Sequence, residues 1–153
     1  MSDLSKEAEL AVKKLLQSDE EQLYQELAIR NRNLEEDPSK GNSFDPENII
    51  SDEKHAGLLD DAIEIGQNLF NSWNEQAFQL TCGSEPDNKK DREELLNAFG
   101  VSNVAVAAAL SALLVTNLGL PAALAAVVAA LAVKRFFNPV YEVFCSAWKE
   151  RSP

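Results

Sequence analysis

The residues able to do chemistry are few and scattered. One histidine, His55, and two cysteines, Cys82 and Cys145, are all that the 153-residue chain offers for nucleophilic or metal chemistry beyond carboxylates. A cysteine nucleophile needs a nearby base to form its thiolate, but no local pattern around Cys82 or Cys145 resembles a cysteine-hydrolase signature. The stretch "DEKHAGLLDDAIE" gathers Asp52, Glu53, His55, Asp60, Asp61 and Glu64. Asp60 and Glu64 are one helical turn apart and could share a face, yet a di-iron bundle needs two Glu-x-x-His motifs and a second histidine. "DPSKGNSFDPEN" misses the oxygen spacing of a calcium loop. No phosphate-cradling loop, dinucleotide fingerprint or nucleophile elbow occurs. The chain therefore reads as a non-enzyme, with no catalytic residue, metal site or cofactor to assign.

Charge narrows the partners. The formal net charge is −11, whereas a nucleic-acid binder needs a basic footprint to displace counterions from phosphate; nucleic acid is excluded as a partner. The charge is uneven. Residues 1–100 hold 23 acidic and 10 basic side chains, and residues 101–153 hold 2 and 4. No secretory signal is visible at "MSDLSKEAEL", so the expected compartment is the cytoplasm and the expected state of both cysteines is the reduced thiol.

Apolar spacing is helical nearly throughout, without sustained alternation. The expected fold is all-α: a single domain over 1–153, a bundle of six to seven helices around an Ala/Val/Leu-rich hairpin. Amphipathic helices occupy 1–33. Leu4, Ala8, Ala11, Val12, Leu15 and Leu16 form the first stripe, and "SDEE" predicts a capping box from Ser18 to Glu21 before the second helix. A loop at 34–52 contains two Asp-Pro steps, with Phe44, Ile49 and Ile50 expected to pin it. A long amphipathic helix spans 53–81, its stripe running through Ala56, Leu59, Ile63, Gly66, Phe70, Trp73, Ala77 and Leu80. Gly83 is expected to end it, and Asp91 with Glu94 to cap the short helix "REELLNAF". A last helix covers 139–150, with Phe144 and Trp148 facing the core.

The segment 103–137 is the apolar hairpin. Of the 33 residues from Val101 to Val133, 26 are apolar and 12 are alanine, and none is charged. Ser102 or Asn103 caps the first leg, "NLGLP" makes the turn, and Pro121 is placed as the first residue of the second leg. Such helices must be buried in protein or in lipid. A bilayer span takes about 20 apolar residues, each leg is shorter, and alanine is a weak insertion signal, so burial in protein is the preferred reading. The hairpin residues concerned are Ala105, Ala109, Ala112, Leu114, Ala122, Ala126, Ala130 and Val133; the series Ala122, Ala126, Ala130 and the pairs Ala105/Ala109 and Ala108/Ala112 have the small-xxx-small spacing that suits close helix approach. The alternative is membrane association, with Lys134, Arg135, Phe136 and Phe137 as an interfacial anchor. In plan the chain is similar to water-soluble pore-forming toxins of the colicin kind, which hide such a hairpin inside an amphipathic shell; no motif is shared.

Two functions follow as expectations. The first is a small acidic helical protein in an adaptor, regulatory or accessory role. It would act through protein–protein contacts with a partner or, as a homo-oligomer, with its own copy, by way of the acidic helices and the loop near residues 35–51. The second is a membrane-inserting or membrane-anchored effector that uses 103–133. A helical binder of an apolar ligand, held between hairpin and aromatic helix, is a third and weaker option.

Overall fold

The structure, a computed structural model, describes residues 3–45, 52–83 and 89–151, with side chains for 4–45, 61–83 and 92–151. Among these residues there are seven α-helices and one 3-10 turn: α1 (Asp3–Leu15), α2 (Glu20–Glu36), the turn Pro38–Asn42, α3 (Asp52–Cys82), α4 (Lys89–Phe99), α5 (Asn103–Leu118), α6 (Ala122–Phe136) and α7 (Tyr141–Arg151). The all-α bundle expected from the sequence is the observed architecture.

The hairpin α5–α6 lies at the centre. α1 and α4 pack on α5, α2 and α7 pack on α6, and α3 closes the bundle against α2, with further contacts to α5 and α7. Ala105, Ala109, Ala112, Leu114, Ala122, Ala126, Ala130 and Val133 are all buried, as is every α6 residue from Ala122 to Val133. Alanine makes this possible, because a helix without bulky side chains can be approached closely from several sides while its neighbours supply volume. Those neighbours are Leu23 and Leu27 of α2, Phe70 of α3, Leu95 of α4, and Phe144 and Trp148 of α7, each fully buried. Trp148 packs between Phe78 of α3 and Phe136 of α6. Ser111, the polar residue buried inside α5, donates its hydroxyl to the Ala107 carbonyl at 2.8 Å, so its burial leaves no orphan donor.

Helix ends follow the expected chemistry with small shifts. The capping box begins at Asp19, not Ser18: Asp19 accepts from the Gln22 amide at 2.8 Å, and Gln22 accepts from the Asp19 amide at 2.9 Å. Both frames satisfy the motif's spacing, and the carboxylate is the stronger acceptor for the helix dipole. α4 already begins at Lys89, so Asp91 stands inside the helix, and its side chain lies outside the described residues. Ser102 caps α5 by accepting from the Ala105 amide at 3.1 Å. Gly119 ends α5 in the left-handed region at φ 68°, a position that favours glycine. Pro121 is the N-cap of α6, one residue before the place expected. Gly83 has no positive φ; the end of α3 is held instead by Arg92, whose guanidinium donates to the carbonyls of Leu80 at 2.7 Å and of Gly83.

The expected pair of reduced thiols is corrected. Cys82 at the end of α3 and Cys145 in α7 form a disulfide, with Cα atoms 5.8 Å apart. Beside it the Tyr141 hydroxyl donates to the Thr81 carbonyl at 2.6 Å, and Trp148 Nε1 donates to Asn74 at 2.7 Å in the core. α7 is thus fixed to α3 by one covalent and two hydrogen bonds.

α2 and α3 approach most closely at Gly66. A Cβ there would stand 2.0 Å from the Tyr24 carbonyl oxygen. Gly→Ala in an open helix stabilises by about 1 kcal/mol; here the backbone contact reverses the sign. Gly66→Ala is expected to destabilise the fold by about 3 kcal/mol through overpacking, measured by urea denaturation, and an unchanged or raised midpoint would contradict this packing. The disulfide closes a loop across a sequence separation of 63, for which loop-closure entropy gives about 4 kcal/mol. Cys145→Ser should lose most of that, and the wild type in reductant should then melt like the variant.

Candidate functional site

Two adjoining clefts run along α1. The first, of 310 Å³, lies between Glu7, Leu10 and Ala11 of α1 and the segment Asn42–Asp45. The second, of 410 Å³, continues past Leu4 and Gly41 to Val115 and to Gly119, Leu120 and Pro121 at the tip of the hairpin. Glu7, Asn42 and Phe44 line both, so the two form one groove. Its walls are α1, the 3-10 turn and the α5–α6 connection. Leu10 stands at its edge with 68% of its surface exposed, off the buried stripe of Ala8, Ala11, Val12 and Leu15.

The groove has fixed walls because Arg30 ties three segments together. Arg30 is only 3% exposed. Its NH1 donates to the carbonyls of Phe44 at 2.8 Å and Ala123 at 2.9 Å, and its Nε to Glu26 at 2.8 Å. Asp45 lies 3.6 Å from the same guanidinium and 3.0 Å from Lys14. α2, the loop and the first turn of α6 therefore share one side chain. The turn Pro38–Asn42 is further ordered by Asp37, which accepts from the Ser39 hydroxyl at 2.7 Å and the Ser39 amide at 3.2 Å. Those hydrogen bonds, the hydroxyl's first, hold the Asp37 carboxyl below its ordinary pKa. Gly41 packs so tightly that a Cβ would meet Leu34 at 2.9 Å and Pro121 at 3.1 Å. Phe44 is buried as expected; Ile49 and Ile50 lie outside the described residues.

Other residues singled out in the sequence are dispersed. Cys82 and Cys145 are bonded to each other, which removes either as a nucleophile. The side chains of Asp52, Glu53, His55 and Asp60 lie outside the described residues, and Asp61 and Glu64 are exposed on α3. The four residues at the end of α6 take separate roles. Lys134 is exposed and donates to the Leu16 carbonyl at 3.1 Å. Arg135 is partly buried between Glu20 at 3.1 Å and the Tyr24 hydroxyl at 2.9 Å. Phe136 is buried and stacked on Trp148, and Phe137 stacks on Phe99. Tyr24 itself has its pKa raised above 10 by burial, which the Arg135 charge partly offsets.

Sequence reasoning missed Arg30 and the tying role of Asp45. A signal was present: Leu23, Leu27, Arg30 and Leu34 follow helical spacing, so Arg30 sits on the apolar stripe of α2. Compared with protein-family models, with curated proteins and with solved structures, the chain matches none. Arg30→Met should lower stability by about 3 kcal/mol, since it removes the buried donor that bridges the Phe44 and Ala123 carbonyls. It should also speed hydrogen exchange in the 3-10 turn relative to the wild type while leaving α5 unchanged; equal turn exchange in wild type and variant would contradict the tie.

Proposed function

We propose that this protein is a non-enzymatic, acidic helical module that works through protein–protein contacts, and that the groove between α1 and the Pro38–Asp45 segment is its contact surface. The observation that carries this reading is the groove itself: two clefts joined through Glu7, Asn42 and Phe44, with Leu10 open to solvent at one end and the hairpin turn at the other. A preorganised wall lowers the ordering cost of binding, and Arg30 supplies that preorganisation. The occupant is an amphipathic segment of a partner protein with apolar and basic side chains. The apolar ones meet Leu10, Phe44 and Leu120, and the basic ones meet Glu7 in a part of the chain whose first hundred residues carry a strong acidic excess.

Membrane insertion is the second reading, and the charge-free hairpin is what favours it. Among the described residues no single helix is long and apolar enough to cross a membrane; α6 and α7 reach that length and composition only as a pair bent by 96°. Insertion would require α5 and α6 to leave the shell that covers them. The disulfide favours an oxidising compartment over the reducing cytosol expected from the sequence, because reducing conditions remove such bonds.

A photoreactive residue at position 10 tests the contact surface, with position 149, an exposed site on α7, as control. In the native host, position 10 should yield a discrete protein adduct that Glu7→Lys reduces about tenfold through lost charge complementarity and that position 149 does not give. Equal adducts from both positions, or lipid adducts from position 10 alone, would overturn the groove as a protein contact.

A further inference from the structure

A separate cleft, lined by residues of α2, α3, α6 and α7, has a different character. It measures 260 Å³ and is lined by Tyr24, Gln67, Asn68, Asn71, Arg135 and Arg151. Every one of these side chains is polar, and the two charged ones are cations in a chain of net charge −11.

The arginines are positioned by one ring. The Arg135 guanidinium carbon lies 5.0 Å from the centroid of Phe136 and 5.5 Å from that of Phe70. The Arg151 guanidinium carbon lies 5.6 Å from the same Phe136 ring. Cation–π attraction thus holds both over one aromatic ring, and Arg151 NH1 donates to the Arg135 carbonyl at 2.6 Å. Glu20 offsets one of these charges; among the described residues Arg151 has no carboxylate partner. Two guanidiniums gathered against one carboxylate leave a local positive excess, which an oxyanion would neutralise through paired N–H donors.

The other wall is neutral where its surroundings are acidic. α3 exposes Asp61, Glu64 and Glu75, but between them Gln67, Asn68 and Asn71 turn to the cleft. Spacings of four and three residues put Asn71 beside both Gln67 and Asn68 on the helix surface. Amides donate and accept without adding charge, which suits the hydroxyl groups of a ligand's body.

We infer that this cleft binds a small phosphate monoester, its phosphate on Arg135 and Arg151 and its hydroxylated body on Gln67, Asn68 and Asn71. The volume suits a compact ligand of that kind and is below the range of drug-sized pockets. Arg135 also packs against Phe70 and Tyr24, so the test relies on the exposed positions Arg151 and Asn71.

The experiment titrates the full-length oxidised protein with ribose 5-phosphate, inorganic phosphate and ribose. It follows the side-chain amide signals of Gln67, Asn68 and Asn71 and the Nε–H signal of Arg151 by NMR. Ribose 5-phosphate should shift all four saturably and bind about tenfold more tightly than inorganic phosphate, while ribose alone should shift none. Arg151→Gln and Asn71→Asp should each weaken the ester about tenfold, with the circular dichroism spectrum and melting curve unchanged. Equal affinity for inorganic phosphate and the ester overturns the role given to the amides. Absence of saturable shifts, or unchanged binding in both variants, overturns the site.

Discussion

The whole molecule is arranged around the need to keep an uncharged, alanine-rich hairpin out of water. From Asn103 to Val133 neither leg has a polar face, so neither can lie on a surface, and each must be covered on all sides. Five other helices do this. Because alanine contributes little volume, the large side chains that fill the core come from the covering helices: Leu23 and Leu27, Phe70, Leu95, Phe144 and Trp148. The stripes of α1, α2, α3 and α7 therefore read as complementary halves of one interface, with small residues inside and large ones outside. Gly66 is the same logic in the shell, where a missing side chain lets α2 and α3 meet backbone to backbone.

Covering the hairpin also creates the surface features. Its turn must emerge somewhere, and it does so between α1 and the 3-10 turn, where Gly119 and Pro121 form one end of the groove. The far end of α6 emerges between α2, α3 and α7, where Lys134 and Arg135 replace alanine and Arg135 meets Arg151 over Phe136. The groove and the basic cleft thus mark the two ends of α6. Arg30 links the first of these to the core, since its guanidinium reaches both the loop and the first turn of α6.

Much of this was legible in the sequence because periodicity is a local property. The long helix with its stripe from Ile63 to Leu80, the hairpin with its Gly119–Pro121 turn, and the last helix with Phe144 and Trp148 inward all follow from spacing alone. What was not legible depends on distance in space. Cys82 and Cys145 are 63 residues apart, and nothing in either local sequence says that the end of α3 lies beside α7. Arg92 belongs in sequence to the short helix α4, yet its side chain caps α3. The position of Arg135 against Glu20 and Tyr24 comes from the packing of α2 on α6. The cap at Asp19 shows a smaller limit: Ser18 and Asp19 both satisfy a four-residue rule, and local geometry selects between them.

The central claim is that α5 and α6 are the protein's own core. Native-state hydrogen exchange tests it most directly, resolved by residue and recorded with and without lipid vesicles. The amides of Ala125–Val133 should exchange more slowly than those of any surrounding helix, opening only with global unfolding, and vesicles should leave their rates unchanged. Rapid exchange of α6 in water, or protection that arises only when lipid is added, would contradict the account.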